Sequence, residues 1–198
     1  MNASQRATDF AGIRSYLAAF HPVEDAAWND LTAALRERRF ARSEVITGVG
    51  DIQRDLLFIL EGVQCSYFLK GDKPYVMAFT YPIGISGIPE SFISQSPSTY
   101  TLEAISATRA LSLPHIELMR LFDAHRSVER LFRKIAEVML IASAHGRYRQ
   151  VSTTSKERFL EFAHQSAHLF QLVPHKLIAS YLGIHPTNFS KLYNSIRI

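Results

Sequence analysis

The spacing of hydrophobic positions along the chain changes twice. Over residues 10–40 the spacing is helical, and the proline and early acidic residues of HPVEDAAWNDL suit the start of a helix. The positions that carry this period are Phe10, Ile13, Leu17, Trp28, Leu31 and Leu35. We therefore predict that the chain begins with helices.

Short β-branched and aromatic runs follow, from EVITGVGD to ATRALSL. Glycine-containing turns interrupt these runs at residues 48–51, 61–62 and 71–72. Several short strands at such regular spacing favour a small sandwich or barrel over a parallel α/β sheet. From Pro114 to the end the spacing is helical again, so the predicted fold class is α+β.

A long helical pattern starts at Ser127, and its apolar positions recur at spacings of 4, 3 and 4, as in the seam of a coiled coil. These positions are Leu131, Ile135, Val138 and Ala142, and Phe132 and Met139 widen the face. Such a stripe packs either on its own domain or on a second copy of the chain. Because the face is wider than one sheet needs, we expect a homodimer seam here.

The small polar run VSTTSKER indicates a hinge after this helix, and Thr154 with Glu157 forms a capping box that starts a new helix ending near Phe170. The predicted division is a strand-rich part with N-terminal helices (1–125), the long helix of the expected seam (126–150) and a C-terminal helical domain (151–198).

The stretch LIASYLGIHPTNFSKLYNSI predicts two short helices that meet at a glycine turn. Pro174 and Pro186 suit the first turns of the two helices, and Gly183 supplies the positive φ that ends the first one. The positions expected to face inward are Ile178, Ala179, Leu182, Phe189, Leu192 and Ile196. Two helices joined in this way form a helix-turn-helix, whose second helix enters the DNA major groove.

The outward side of the second helix carries residues that can recognise base edges. These are Thr187, Asn188, Lys191 and Asn194. Ser190, with His175 and Lys176 at the start of the preceding helix, suits phosphate contacts, and His185 completes the predicted DNA-binding set.

Charge is distributed unevenly along the chain. Residues 1–145 hold 15 Lys and Arg against 16 Asp and Glu, a net of −1, whereas residues 146–198 hold 7 against 2, a net of +5. This asymmetry indicates a polyanion partner for the C-terminal segment. Double-stranded DNA is therefore the predicted partner.

Other kinds of chemistry find little support. The single cysteine, Cys65, excludes an internal disulfide and multi-cysteine metal sites, and its apolar setting predicts a buried structural thiol. His164 and His168 have a zinc-compatible spacing but no third ligand, so we interpret them as exposed polar residues. We expect no catalysis, no metal and no cofactor. With no apolar run long enough to span a bilayer, we expect a cytoplasmic protein.

The chain resembles bacterial transcription regulators of the Crp/Fnr type over nearly its whole length. VITGVGDIQRDLLFILEGVQCSYF is similar to the family's strand pair, SKERFLEF to the start of its DNA-binding domain, and HKLIASYLGIHPTNFSKL to its recognition motif. The resemblance implies a cyclic-nucleotide-binding-like β-roll, dimerisation along the long helix and a roughly palindromic operator. Lys191 occupies a position at which the family usually has arginine, so the bidentate hydrogen bonding of a guanidinium group is absent here.

The segment GISGIPESFISQSPSTYTLEA departs from the family's cyclic-nucleotide cassette. Where the resemblance implies a Gly-Glu pair and an Arg-Ser or Arg-Thr pair, this chain has Gly87-Ile88 and Ser98-Thr99. A buried cyclic phosphate would lack its paired cation, a cost of several kcal/mol. We therefore expect no control by cyclic AMP. These four residues mark either a pocket for an unknown effector or a vestigial, filled cassette.

The sequence thus predicts a DNA-binding transcriptional regulator, for which RNA polymerase is a candidate partner. The alternative is a β-roll module that binds a small ligand or docks a protein, with a helical tail that contacts a protein partner.

Overall fold

The computed structural model describes residues 3–195, so the predicted inward position of Ile196 lies outside the described residues. The first helices are α1 (Ala3–Ala18) and α2 (Asp25–Ala34). The strands are β1 (Arg36–Phe40), β2 (Val45–Thr47), β3 (Asp55–Glu61), β4 (Gln64–Lys70), β5 (Lys73–Thr80), β6 (Gly84–Ser86), β7 (Thr101–Ala104) and β8 (Thr108–Pro114). The later helices are α3 (Pro89–Ser94), α4 (His115–Ala124), α5 (Arg126–Ser152), α6 (Ser155–Ser166), α7 (Leu169–Leu172), α8 (His175–Tyr181) and α9 (Pro186–Ser195).

The strands form two four-stranded antiparallel sheets, in the orders β1-β8-β3-β6 and β2-β7-β4-β5. We call them the first and the second sheet. In β3 the side chains alternate, so that Leu57 and Ile59 face the interior between the sheets while Phe58 faces the helices outside. Both faces of β3 are therefore buried, which explains its unbroken apolar run.

Helices cover both sheets from outside. The N-terminal helices, α4 and the first part of α5 pack on the first sheet. The terminal helices pack on the second sheet, where Val63, Cys65 and Val76 share one hydrophobic cluster with Phe159 and Ile178. Because one cluster joins the β-roll to the terminal helices, the domain division at residue 150 stays a prediction.

An ion pair fastens α1 to the first sheet. Arg109 on β8 donates to both carboxylate oxygens of Asp9, at 2.6 and 3.1 Å, and also donates to Glu61 at 2.7 Å. The side chains of Asp9 and Arg109 are buried. The pair holds the pKa of Asp9 below its ordinary value, chiefly because of the hydrogen bonds from Arg109.

The predicted helix over residues 10–40 is wrong at its end, because residues 36–40 form strand β1. Leu35 is already extended, and Arg36 pairs with Ser112 of β8. Pairing with a strand more than 60 residues later overrides a helical local pattern.

Part of the predicted dimer seam on α5 is wrong. Leu131 and Ile135 are buried in the core of their own chain, against the helices and strand residues of the first sheet, and so are not available to a second copy. Val138 and Ala142, one and two turns further along, are exposed. Within residues 3–195 the structure contains no helix with the length and apolar character that crossing a membrane requires.

Candidate DNA-binding surface

The predicted capping box at Thr154 and the predicted stop at Gly183 are confirmed, but the helix that follows Thr154 ends at Ser166 rather than near Phe170, and residues 169–172 form the separate short helix α7. Thr154 accepts a hydrogen bond from the Glu157 N–H, and the Glu157 carboxylate accepts one from the Thr154 N–H, which completes the capping box. Gly183 has φ +62°, and the Ile184 N–H bonds to the Ala179 carbonyl. This Schellman turn ends α8 and sets the direction of α9.

Aromatic and aliphatic packing holds the helix-turn-helix together. Phe189 of α9 is buried, with its ring centroid 5.4 Å from that of Phe159 of α6. Arg158 of α6 donates to the carbonyls of Leu182, at 2.8 Å, and Thr153, at 2.5 Å. The turn is therefore fixed to α6 by a charged side chain as well as by packing. Of the other positions expected inward, Ile178, Ala179 and Leu182 are buried and Leu192 is half-buried.

The residues predicted to meet DNA lie on the solvent side of this unit. All eight are exposed: His175, Lys176, His185, Thr187, Asn188, Ser190, Lys191 and Asn194. The side chains of two of them form hydrogen bonds within the described part of the chain. The Ser190 hydroxyl donates to the Pro186 carbonyl of its own helix, and Nδ1 of His185 accepts from the Thr187 N–H at 3.4 Å.

His175 is also engaged, although it is exposed. Its ring packs 4.3 Å from the Tyr193 ring and 5.5 Å from the Phe189 ring, centroid to centroid. It therefore supports α9 from the start of α8, next to the exposed Lys176.

The helix-turn-helix is docked on the β-roll through the edge strand β5. The Val76 N–H donates to Oγ of Ser180 at 3.1 Å, and the same hydroxyl donates to the Pro74 carbonyl at 2.8 Å. Beside this bridge the Phe79 and Tyr181 rings lie 5.4 Å apart, and Tyr81 bonds Ser166 at 3.0 Å. Helix α8 thus covers an edge that would otherwise expose unpaired backbone groups.

The four residues of the cassette segment do not meet around one cavity. Ile88 is buried in the roll interior with Leu57 and Ile59, and Thr99 is exposed. Ser98 is buried, and its hydroxyl donates to the Tyr100 carbonyl while its backbone bonds the turn around Asp51. None of these four residues carries a positive charge that could pair with a cyclic phosphate.

Gly87 and Ile88 do line an apolar cleft outside the roll interior, of about 470 Å³, between α3, α4 and α5. Phe92, Phe122, Phe132 and Met139 are among its walls. Glu129 and Arg133 of α5 stand at the same cleft. Its lining suits an apolar occupant far better than a nucleotide.

Cys65 is fully buried at the junction between the second sheet and the terminal helices. Burial raises the pKa of its thiol to about 12, and Glu103 adds to the effect. Such a thiol is not ionised near neutral pH, which agrees with the structural role expected from the sequence. Within the described part of the chain, no group of three or more His, Cys, Asp or Glu side chains could hold a metal ion.

Sequence reasoning missed the residues that join the two halves of the molecule. Ser180 is an unremarkable position in a short helix, and its partners Pro74 and Val76 lie more than 100 residues earlier. It also missed Lys70 and Lys73 at the tip of the β4–β5 hairpin. The turn at Gly71-Asp72 is the one local signal that places these two lysines together.

Two antiparallel sheets form a roll, which is followed by a long helix and a helix-turn-helix. No protein-family profile matches the chain, and no curated protein matches it. Solved structures do match. FixK2 from Bradyrhizobium japonicum aligns over 81% of this chain and 83% of its own, with TM-score 0.70 and 19% identity.

The c-di-GMP responsive global regulator CLP from Xanthomonas campestris aligns over 87% of this chain and 91% of its own, with TM-score 0.64 and 14% identity. The catabolite activator protein from Thermus thermophilus aligns over 89% and 84%, with TM-score 0.56 and 15% identity. These proteins are Crp/Fnr regulators, and at such identities the likeness is one of fold. The chain has a Crp/Fnr-like fold, which confirms the predicted fold class.

Proposed function

We propose that this protein is a homodimeric, cytoplasmic transcriptional regulator that binds a roughly palindromic DNA operator and performs no catalysis. The observation that carries the proposal is that α9 exposes a polar face to solvent while its aromatic residue Phe189 is buried. Asn188 and Lys191 stand on that face, while Phe189 between them anchors the helix. Asparagine suits adenine and lysine suits guanine in the major groove.

The charge distribution supports the same function. The net charge of +5 over residues 146–198 lies in the segment that contains the helix-turn-helix. Neutralising DNA phosphates supplies much of the affinity of such proteins. An apolar outer face on α9 would have favoured the alternative, a tail that docks a protein, but Thr187, Asn188, Lys191 and Asn194 are all polar.

The homodimer is supported by the second half of α5. Five consecutive apolar residues, 138–142, are all exposed in the protomer, with Leu140 at 72%. A helix that is apolar on every side is normally buried on every side. Further along, exposed Ile141, Ala144, Tyr148 and Val151 follow the coiled-coil spacing of 3, 4 and 3. We therefore place the proposed seam on this part of α5 rather than at Leu131 and Ile135.

Control by cyclic AMP is not part of the proposal. Ile88 fills the position where the family's cassette would need a charged ligand, and the hydroxyl of Ser98 is already used within its own turn. The shared hydrophobic cluster also packs the helix-turn-helix against the roll. We propose that the protein binds DNA with no cyclic nucleotide bound.

The experiment is in vitro selection from sheared genomic DNA, with purified protein and no added ligand, beside a parallel selection with cyclic AMP. We expect both to enrich the same fragments, with two inverted half-sites about one helical turn apart. Enrichment only with cyclic AMP would overturn ligand independence. No enrichment in either selection, at low salt as well, would contradict DNA binding itself.

A further inference from the structure

A second basic element lies beside the helix-turn-helix, and it comes from the β-roll. The hairpin between β4 and β5 turns at Gly71-Asp72, where Gly71 has φ +59°. Its tip faces the α8–α9 turn across an open cleft of about 760 Å³. The charged or titratable residues that line the cleft include Lys70, Asp72, Lys73, Lys176 and His185.

The hairpin tip carries an unfavourable arrangement of charge. Lys70 and Lys73 are directly opposite each other in the antiparallel register. Like charges in such a pair destabilise a hairpin. Neither lysine forms a salt bridge within residues 3–195, and Lys73 only lies over the Tyr75 ring, 5.4 Å from its centroid. The described part of the protomer therefore leaves this positive pair without an anion.

The position of the hairpin relative to α9 is fixed. Ser180 bonds both Pro74 and Val76, so β5 and α8 are joined one turn of helix away from Lys176. The cleft also includes Gly183 and Pro186, at the turn and the first residue of α9. The positive end of the α9 dipole and the lysines of the hairpin thus face the same opening.

We propose that the β4–β5 hairpin is a second DNA contact, in which Lys70 and Lys73 neutralise backbone phosphates of the operator strand that passes the start of α9. The inference rests on the proposed function and adds a contact from the β-roll to it. Three lysines against one acid give the cleft a net positive charge. Phosphodiester groups suit it because lysine binds phosphate as a point charge, without the geometry that a base edge demands.

The test compares the charge-neutralising double variant Lys70→Gln/Lys73→Gln with the wild-type protein on the selected operator. The slope of log K against log salt becomes shallower by about 0.9 for each phosphate that the variant no longer neutralises. With two lysines in each of two protomers, we expect the slope to be shallower by about 3.6. The thermal midpoint should be unchanged or higher, because the like-charge pair has been removed.

Arg42→Gln/Arg54→Gln is the matched control. It removes the same charge from two exposed arginines of the same roll that lie outside the cleft. We expect this control to leave the salt slope at the wild-type value. If the hairpin variant behaves like the control while wild type binds DNA, the inference is wrong and the proposed function stands. If wild type binds no DNA at all, both fail.

A third arm separates DNA phosphate from a small phosphorylated ligand. Thermal unfolding is measured with inorganic pyrophosphate for the wild type and for the hairpin variant. A stabilisation that depends on both lysines, together with an unchanged DNA salt slope, would assign the cleft to a small anion and overturn the proposal. A shallower salt dependence of DNA binding for the hairpin variant, together with no stabilisation of the wild type by pyrophosphate, supports the proposal.

Discussion

The bridge made by Ser180 gives a prediction that tests how the two halves of the protein are joined. Ser180→Ala removes the acceptor of the Val76 N–H and the donor to the Pro74 carbonyl. Both partners belong to β5, an edge strand, so no neighbouring strand can replace these two bonds. The substitution leaves the helix itself intact, because alanine favours helix formation.

The expected cost follows from the two bonds. Each contributes about 1 kcal/mol net, so the free energy of unfolding should fall by about 2 kcal/mol. For a chain of this length that corresponds to a thermal midpoint lower by about 4–8 °C. Amide hydrogen exchange provides the local measurement, because Val76 should lose protection while Phe58 in the core keeps its own.

Ser152→Ala is the matched control. The Ser152 hydroxyl donates to the Tyr148 carbonyl one turn earlier in an exposed part of α5. We expect that change to shift stability by less than about 0.5 kcal/mol. If Ser180→Ala costs no more than the control, or if Val76 keeps its protection, the bridge does not hold the two halves together and the reasoning is refuted.

Three further predictions concern a charge, a thiol and an interface. Asp9→Asn should lower stability by about 3 kcal/mol near neutral pH, because it leaves buried Arg109 without its main partner. Because the pKa of Asp9 is lower in the folded protein than its ordinary value of 3.8, the ion pair stabilises the fold above pH 3.8. This stabilisation disappears as the pH falls through the pKa of the folded state, so the stabilities of wild type and variant should converge in acid. The Cys65 thiol, with its pKa raised to about 12, should resist a thiol reagent at pH 8 until the protein unfolds; rapid native labelling would contradict its burial. Ile141→Asp should give a monomer by light scattering whereas Ile116→Asp, at a similarly exposed position on α4, should not; a persistent Ile141→Asp dimer would refute the proposed seam.

Much of the fold could be predicted from the sequence, because its signals are local. The glycine turns, the capping box at Thr154 and the stop at Gly183 depend on residues within a few positions of one another, and the structure has each of them. The solvent-facing side of α9 follows from helical periodicity for the same reason.

Prediction fails where contacts between residues far apart in the sequence determine the local structure. Strand β1 has a helical local pattern, and its partner β8, which makes it a strand, is more than 60 residues away. The apolar positions of α5 keep one spacing along the whole helix, but their surroundings differ. Leu131 packs on the roll of its own chain, whereas the later turns are exposed. The spacing of apolar residues in a sequence predicts which side of a helix is apolar, but it does not predict which part of the protein packs against each turn.

The cassette segment, a candidate effector site, is a second place where the sequence alone does not determine the packing. The resemblance implies charged residues at the positions of Ile88 and Ser98, but the sequence leaves open whether the segment forms a pocket or a filled cassette. The three-dimensional arrangement favours the filled form, because Ile88 is buried in the interior of the roll and Thr99 is exposed to solvent. The apolar cleft of about 470 Å³ lies outside the roll interior, and of the four cassette residues only Gly87 and Ile88 line it.

The most direct test of the central claim is the equilibrium affinity of wild type, Lys191→Ala and Lys156→Ala for the selected operator and for a random duplex. Lys156 is an exposed lysine on α6, outside the proposed recognition face, and serves as the control. We predict that Lys191→Ala weakens operator binding by about 1–3 kcal/mol and random binding far less, with little change for Lys156→Ala. Equal losses for Lys191→Ala on both duplexes, or none on either, would contradict recognition of the operator through α9.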